Sequence, residues 1–335
     1  SRYELGDFKL QSDSILKDAF IGFRSYGSLN ELRDNVIVFP TWYTGLNNQV
    51  EPYIGPGKAL DPNKYFIVIP DMFTNGSSTS PSNAQDIHKG LNFPLVTPFD
   101  NVRAQRRLLE ENFGITSVEL MVGFSMSGQQ AYHWAALHSD LVKRACSICG
   151  TSKTSPHNWA MLHAYKASME TSQDWPAKSC DDWDPKVLNV FASIGATMAM
   201  SQDWYRDGLH LTEGVAGVSD VIENIKGLFR PWIPANIYAQ TLTWMSADVS
   251  NNSTFNGSME SALRAIEIPF LMLPCETDLY FRVEDNKGEL PFISNGHLNV
   301  IKSRSGHMAG LPGFSSEDDE FITNQLIEFL RAPCR

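Results

Sequence analysis

Cysteine is scarce in this chain, and long apolar runs are absent. The 335 residues contain five cysteines, an odd number in a chain long enough to bury a core without disulfides. No apolar run approaches the roughly 18 residues that a membrane-spanning helix needs. The sequence therefore disfavours a disulfide-stapled secreted domain and a membrane-spanning protein, and we expect a reducing, cytoplasmic compartment.

Positive charge is also in short supply. Lys and Arg number 27 against 38 Asp and Glu, and the formal net charge is -11 at pH 7. Because nucleic-acid phosphates and anionic membranes are bound by clustered Lys and Arg, we expect neither as a partner. The chain is 42% hydrophobic, which is enough for the core of one large domain, with or without an insertion.

Two of the cysteines, Cys146 and Cys149, form a C-x-x-C pair inside the apolar run 145–149. In a strand their side chains would point to opposite faces. We therefore interpret them as core residues, and we expect no metal site and no cofactor.

Short apolar runs alternate with amphipathic patterns at both ends of the chain. Predicted strands lie at 8–10, 19–24, 36–39, 65–69, 118–122, 145–149, 270–273 and 298–301, and predicted helices lie at 100–113 and 319–330. Continuous apolar strands are typical of a parallel sheet buried on both faces. The pattern predicts an α/β fold with a mostly parallel central sheet flanked by helices.

The middle of the chain differs from its ends. Residues 151–260 show no clear strand, and helical patterns occur near 159–169, 185–203 and 234–245. A segment of this length is too long to be a loop in a compact domain. We predict a core of residues 1–150 and 261–335 and a helical lid inserted between them at 151–260.

The stretch G-F-S-M-S-G at 123–128 follows the predicted strand 118–122 and opens a helix. Strand, sharp turn with a serine, and helix together form the nucleophile elbow of α/β-hydrolases. The usual motif, G-x-S-x-G, has glycine where this chain has Ser127, and Gly128 follows directly. The pattern predicts Ser125 as a nucleophile, which requires a neighbouring base and an oxyanion hole. The alternative is a strand-to-helix turn that happens to contain a serine.

The acid and the base of such a site follow later strands, in the order Ser, Asp, His. Asp278 comes shortly after the strand 270–273, and His307 follows the strand 298–301. We predict that His307 takes the proton of Ser125 and that Asp278 orients the imidazole. Glu276 is an alternative acid.

The other histidines fit the site less well. His297 precedes the predicted last strand and would lie at the wrong end of the sheet, whereas His157 and His163 fall in the insertion without metal-ligand spacing. His133 and His138 lie on or near the helix after the elbow, and we interpret them as structural.

The oxyanion hole of this fold combines two backbone N–H groups. One belongs to the residue after the nucleophile, Met126, and the other comes from the loop after the first buried strand. That loop is T-W-Y-T-G at 41–45, and we choose Tyr43 as its donor. The alternative is an ordinary turn whose two aromatic side chains pack against the lid.

Several motifs together resemble the homoserine O-acetyltransferase family of α/β-hydrolases along nearly the whole chain. They are V-I-V-F-P-T-W-Y-T-G, S-S-T-S-P-S, D-N-V-R-A-Q, G-F-S-M-S-G-Q-Q-A-Y-H-W-A, T-S-P, S-Q-D-W-Y-R, T-D-L-Y-F and S-G-H-M. The resemblance implies a Ser-Asp-His triad at Ser125, Asp278 and His307, a helical lid, and often a homodimer formed through the lid.

The departures from that family concern the substrate. The resemblance places Lys166 where relatives carry an arginine for the homoserine carboxylate, and Met308 where they carry an aspartate for its amine. Lysine lacks the bidentate fork of arginine, and methionine cannot pair with an ammonium group. Trp42 and Tyr43 are also bulkier than expected in their loop. We therefore expect Trp42, Lys166 and Met308 to contact a substrate other than homoserine.

Three hypotheses follow. The first is a serine hydrolase that cleaves a carboxylic ester or related acyl bond of a small molecule through an acyl-enzyme on Ser125. The second is an O-acyltransferase that moves an acyl group from an acyl-CoA partner to a hydroxyl acceptor other than homoserine. The third, a catalytically silent binding protein, is disfavoured because Ser125, Asp278 and His307 are all present.

Overall fold

The computed structural model describes residues 1–173, 175–176, 179 and 182–333. Its strands form one sheet in the order β1-β2-β4-β3-β5-β6-β7-β8. They are β1 Arg2–Lys9, β2 Ile15–Tyr26, β3 Val36–Val38, β4 Phe66–Pro70, β5 Val118–Phe124, β6 Ala145–Ile148, β7 Phe270–Leu273 and β8 Gly296–Leu298. Strand β2 pairs antiparallel with β1 and β4, and the other neighbours are parallel. The predicted α/β fold with a mostly parallel sheet is confirmed.

From β4 onward, α-helices separate the successive strands. They are α1 Pro98–Arg107, α2 Met126–Leu137, α3 Pro156–Glu170, α4 Val187–Met198, α5 Gln202–Arg206, α6 Val218–Phe229, α7 Pro234–Met245, α8 Met259–Arg264, α9 Val283–Glu289 and α10 Ser316–Arg331. In the described part of the chain, no helix is both long and apolar enough to cross a membrane.

Helices cover both faces of the sheet, which explains its continuous apolar strands. Every residue of β3, β4, β6 and β7 is buried. Side chains of α1, α2 and α8 belong to the core on one face. On the other face Ile322, Leu326 and Phe329 of α10 pack against the sheet. Each such side chain contributes about 1.5–3 kcal/mol through burial.

The connection between β6 and β7 contains the helices α3 to α8. A third apolar cluster joins α3, α4 and α7 to Met126 at the start of α2 and to Tyr43 and Tyr280 of the surrounding loops. Helix α8 crosses the proposed boundary at 260/261, and its Ala262 and Leu263 lie in the core cluster that includes α2. The exact division into a core and an inserted lid stays a prediction.

Several elements differ from the sequence-based expectations. The first two strands were expected at 8–10 and 19–24 but are β1 Arg2–Lys9 and β2 Ile15–Tyr26. The last strand was expected at 298–301 but forms at Gly296–Leu298, because these residues pair with Phe270–Met272 of the short β7. Beyond it only Ile301 makes an isolated bridge, to Cys275. The helix expected at 185–203 is two helices, α4 and α5, and the helices α6, α8 and α9 were not predicted.

Candidate active site

The turn between β5 and α2 carries Ser125 in a strained conformation. Its φ and ψ are 60° and -126°, a left-handed region that costs a non-glycine residue about 1–3 kcal/mol. The chain passes so closely here that a Cβ on Gly123 would lie 2.3 Å from Ser127, and one on Gly128 would lie 2.6 Å from Ser147 Oγ. Ser127 is accommodated in the first turn of α2. This turn presents the Ser125 hydroxyl at the end of the strand.

A continuous chain of hydrogen bonds begins at that hydroxyl. Ser125 Oγ lies 2.9 Å from His307 Nε2, and His307 Nδ1 lies 2.7 Å from Asp278 Oδ2. The other carboxylate oxygen of Asp278 accepts the N–H groups of Tyr280 at 2.7 Å and Phe281 at 3.1 Å. All three side chains are buried. The structure therefore brings the three residues predicted from the sequence into one relay.

Aromatic rings hold the imidazole of His307 in place. Phe124 stacks on it with ring centroids 4.7 Å apart, Tyr280 meets it edge-on at 4.8 Å, and Phe281 lies at 5.5 Å. Because the ring is enclosed and hydrogen-bonded at both nitrogens, its orientation is set before any substrate arrives. Such preorganisation lowers the cost of reaching the transition state.

The rival residues lie elsewhere. Glu276 is exposed and forms an ion pair with Lys302 at 3.1 Å. His297 lies within β8 rather than before it, which corrects the expected position, and its ring is also exposed. His157 and His163 are exposed on α3.

The two histidines near the elbow are structural in their contacts. His133 is fully buried in α2, and neither ring nitrogen has a hydrogen-bond partner among the described residues. His138 Nδ1 accepts a hydrogen bond from Arg106 at 2.7 Å. Burial lowers the pKa of each to about 4, so both rings are neutral at pH 7.

Ser125 and His307 open into an apolar cavity of about 260 Å³. The loop 42–44 and helices α3, α4, α6 and α7 all contribute to its walls. The lining residues are Trp42, Tyr43, Thr44, Gln49, Phe124, Ser125, Tyr165, Phe191, Gly195, Ala199, Met200, Ile225, Leu228, Phe229, Trp232, Trp244, Tyr280, His307, Met308 and Leu311. None of them is Lys, Arg, Asp or Glu. A charged ligand would lose its hydration here without gaining a partner, at a cost of several kcal/mol.

The predicted substrate contacts divide into two groups. Trp42, Tyr43 and Met308 line the cavity. Lys166 does not reach it, because it lies on α3 beside the lining residue Tyr165 and its ammonium group pairs with Glu170. Adjacent residues of a helix point in different directions. The Lys166 side chain therefore lies on a face of α3 that is turned away from the cavity.

The two proposed oxyanion donors flank the nucleophile. Met126 is the first residue of α2, directly after Ser125, and its side chain is buried. Tyr43 follows β3 in the loop 41–45, and its hydroxyl lies 2.8 Å from Thr241 Oγ1 of α7. Their role in binding an oxyanion stays a prediction.

One group of possible metal ligands lies at the site. Ligand atoms of Cys149, Asp278 and His307 lie within 4.8 Å of one another. The histidine and the carboxylate already bind each other, and burial raises the pKa of the Cys149 thiol. A metal requires the thiolate, so the donor set fits the hydrogen-bonded relay better than an ion. The expectation of no metal and no cofactor stays a prediction.

A pair of phenols in the cavity wall escaped the sequence analysis. The hydroxyl of Tyr165 on α3 lies 2.8 Å from that of Tyr280 in the loop after Asp278. The motif T-D-L-Y-F contains Tyr280 and pointed to this loop, but no pattern in α3 distinguished Tyr165 from its neighbours. The pair supplies polar groups in an otherwise apolar wall.

Comparison with known proteins agrees with this geometry. Residues 34–314 match the model of the alpha/beta hydrolase fold. The chain therefore belongs to the α/β-hydrolase family, and the predicted fold class is confirmed.

The similar proteins include both ester hydrolases and acetyltransferases. An ethyl acetate hydrolase from Pseudomonas veronii is 32% identical over 98% of this chain and 95% of its own length. The crystal structure of an acetylester hydrolase from Corynebacterium glutamicum superposes with a TM-score of 0.94 at 30% identity, covering 99% of this chain and 96% of that one. A homoserine O-acetyltransferase from Nostoc punctiforme is 26% identical over 94% of both chains. The predicted resemblance to homoserine O-acetyltransferases is confirmed, and the protein is an enzyme of the α/β-hydrolase family.

Proposed function

We propose that the protein is a serine esterase that hydrolyses carboxylic esters of small, uncharged, apolar molecules. The relay from Asp278 through His307 to Ser125 ends in a cavity that has no Lys, Arg, Asp or Glu among the described residues of its lining, and this is the observation that carries the proposal. The relatives named as an ethyl acetate hydrolase and an acetylester hydrolase support it.

The reaction follows from the positions of the three side chains. Ser125 Oγ attacks the ester carbonyl carbon while its proton passes to His307 Nε2. Asp278 accepts the Nδ1–H hydrogen bond, fixes the tautomer and stabilises the imidazolium. His307 then protonates the departing alkoxide, leaving an acyl-enzyme on Ser125. A water molecule, deprotonated by His307, attacks that acyl group and releases the acid.

The negative oxygen of each tetrahedral intermediate needs donors that are already in place. The backbone N–H groups of Met126 and Tyr43 serve as these donors in our proposal. One such donor is worth roughly 2.7–4 kcal/mol of activation free energy.

The size and polarity of the cavity define the substrate class. A volume of about 260 Å³ suits a short acyl group and a short alcohol. Without a cation for a carboxylate or an acid for an amine, homoserine finds no partner in this wall. Acyl transfer from acyl-CoA to another hydroxyl compound remains the second candidate, because it uses the same acyl-enzyme and differs only in the final nucleophile.

The proposal is tested by ester hydrolysis in the purified protein and two serine variants. Ser125→Ala should lose nearly all p-nitrophenyl acetate and ethyl acetate hydrolysis, a fall of about 10⁴-fold or more. Ser127→Ala is the matched control, because Ser127 Oγ is buried without a hydrogen-bond partner in the described chain, and it should keep most activity. A fluorophosphonate should label the wild type and not Ser125→Ala.

Two results would contradict the proposal. Absence of ester hydrolysis and of fluorophosphonate labelling in the wild type would favour a silent binding protein. Transfer of acetyl from acetyl-CoA to added alcohols, well above the rate of hydrolysis, would favour the acyltransferase.

We also propose a cytoplasmic location for the enzyme. Cys146, Cys149 and Cys275 are buried free thiols, which is compatible with a reducing compartment. Fractionation of the source cells, followed by detection with an antibody, tests the location.

A further inference from the structure

Two β-branched residues close to the candidate active site have positive φ angles. Thr44, in the loop 41–45, has φ 59°, and Thr74, in the loop after β4, has φ 75°. For a β-branched residue this region is a strained outlier. Such conformations persist only where the surrounding contacts impose them. Contacts from the rest of the molecule must therefore hold Thr44 and Thr74 in place.

A single side chain of α7 binds both of them. Gln240 Oε1 accepts the Thr44 N–H at 2.7 Å, and Gln240 Nε2 donates to the Thr74 carbonyl at 3.1 Å. Gln240 is fully buried, so water does not compete for these hydrogen bonds. Its amide spans the two strained loops and satisfies one backbone group in each.

The next residue of α7 binds the neighbouring loop residue. Thr241 Oγ1 lies 2.8 Å from the Tyr43 hydroxyl. Consecutive residues of one helix therefore bind consecutive residues of the loop, 43 and 44. This is the loop whose Tyr43 N–H is the second oxyanion donor of the proposed reaction.

The beginning of the loop is held from the sheet side instead. Thr41 Oγ1 accepts the N–H of Met72 at 2.9 Å, and Gln130 Nε2 donates to the Thr41 carbonyl at 3.2 Å. The loop thus has a fixed start, and α7 binds its residues 43 and 44, while Asn75 Nδ2 donates to the Gly45 carbonyl at 3.3 Å.

We propose that Gln240 is a positioning residue for catalysis, which holds residues 43 and 44 so that the Tyr43 N–H faces the oxyanion. The inference rests on the proposed esterase function. Gln240 does not contact the reacting atoms. It acts by imposing the backbone conformation of the loop, and it makes the oxyanion hole depend on the helical connection between β6 and β7.

Gln240→Ala and Asn236→Ala form a matched pair of variants. Asn236 lies one turn earlier on α7, is also buried, and binds Ser82 through its Oδ1 at 3.1 Å and its Nδ2 at 2.9 Å, away from the loop 41–45. Gln240→Ala should lower kcat for p-nitrophenyl acetate about 10- to 100-fold with KM changed less than about threefold. Asn236→Ala should change kcat by less than about threefold.

A transition-state analogue separates this role from general destabilisation. Butylboronic acid adds to Ser125 Oγ and forms a tetrahedral, negatively charged adduct whose oxygen occupies the oxyanion hole. Its inhibition constant should rise in Gln240→Ala by about the same factor as kcat/KM falls, and it should stay unchanged in Asn236→Ala.

A second pair of variants applies if Gln240→Ala does not fold. Thr241→Val and Tyr43→Phe each remove the hydrogen bond between Tyr43 and Thr241 while keeping the side-chain shape, and Thr241→Val also removes the bond from Thr241 Oγ1 to the Ile237 carbonyl. Each should lower kcat about fivefold, and the double variant should lose no more than either single one.

Some outcomes would overturn the inference and others the proposed function itself. Equal kcat in the Gln240 and Asn236 variants, a loss confined to KM, or an unchanged boronate constant would exclude the positioning role. A wild type without esterase activity would instead refute the proposed function before the variants are compared.

Discussion

At the scale of single residues, the loop after β7 separates two carboxylates that lie two positions apart. Asp278 is buried, receives two backbone N–H groups and binds His307 Nδ1 at 2.7 Å. Glu276 points to solvent, where it pairs with Lys302. An exposed ion pair of this kind contributes about 0–1 kcal/mol. The local backbone, rather than the chemistry of the side chain, decides which acid faces the imidazole.

Neutralising each of these carboxylates should therefore have very different effects. Asp278→Asn should lower kcat for a short ester by about 10⁴-fold, because the amide stabilises the wrong tautomer of His307. Glu276→Gln should change kcat by less than about twofold. Steady-state kinetics on both purified variants checks the prediction, and similar losses in the two would argue against Asp278 as the partner of His307.

Residue-level prediction succeeded where order along the chain carries the information. Ser125, Asp278 and His307 each follow a strand, and parallel strands bring their carboxyl ends to one edge, so the three could be placed together from sequence. The position of Lys166 could not be foreseen in the same way, because it depends on which face of α3 turns toward the cavity. Gln240 escaped notice because glutamine in a helix carries no distinctive pattern.

At the scale of elements, α2 is unusual because residues from Met126 to Ala136 are all buried. A helix enclosed on every side must bury its polar residues too, and His133 is one of them. Its ring has no hydrogen-bond partner among the described residues, and burial lowers its pKa to about 4. The helix that positions the nucleophile is therefore sensitive to protonation.

The stability of the protein should fall in acid because of His133. Between pH 6.5 and about 4, His133 binds a proton in the unfolded chain but not in the folded protein. The free energy of unfolding therefore decreases as the pH falls through this window. The neutral, buried His133 ring accounts for about 3 kcal/mol of the free energy of unfolding, present in full above pH 6.5. His133→Leu, of similar volume, should remove it.

Urea denaturation of the wild type and His133→Leu at pH 7.5 and pH 5 measures this difference. The gap in the free energy of unfolding should widen in favour of the variant at pH 5. A constant gap would contradict the lowered pKa. The carboxylate of Asp248 acts in the opposite direction on the same ring and is present in both proteins.

Whether a strand or helix could be predicted from the sequence depended on which part of the molecule its apolar side chains contact. The central strands and α10 bury their apolar residues in the core and were recognised. Helix α6 buries only Val221, directs Ile225 and Phe229 toward the cavity and leaves Leu228 exposed at the cavity's edge, so its pattern did not signal a core helix. The shift of the last strand arose because pairing with the four-residue β7, and not hydrophobicity, decides where β8 forms.

At the scale of the whole molecule, exposed apolar surface is concentrated on the connection between β6 and β7. Of the twelve large exposed apolar side chains in the described residues, seven lie in 151–260. They are Trp159, Val190, Leu209, Leu211, Val218, Leu228 and Ile233. Contiguous exposed apolar patches are typical of interaction surfaces. The homodimer formed through the lid, which the sequence led us to expect, stays a prediction.

Light scattering after size-exclusion chromatography should give twice the monomer mass. The double variant Val190→Glu and Val218→Glu should shift the protein toward the monomer, because it places charges in an apolar interface. Ile87→Glu, at an exposed apolar residue outside the lid, is the control and should leave the mass unchanged. A wild-type monomer across the accessible concentration range would refute the dimer.

The shape of the cavity could not be derived from the sequence. Its wall draws on the loop 42–44, on four helices separated by up to some 80 residues, and on the turn after His307. Their convergence depends on packing angles that no local pattern records. The sequence did indicate that the homoserine contacts were altered, and the apolar wall agrees with that expectation.

The position of Gln240 on α7 has a consequence for the redesign of this enzyme. Exchanging residues 151–260 for those of a homologue, in order to admit a different ester, would also exchange the glutamine that braces two strained threonines. Substrate range and catalytic rate are thus coupled through a single amide group. A chimera whose pocket fits the new ester will stay slow until the Gln240 amide is restored, or until glycine, which tolerates the same backbone conformation, replaces the strained threonines.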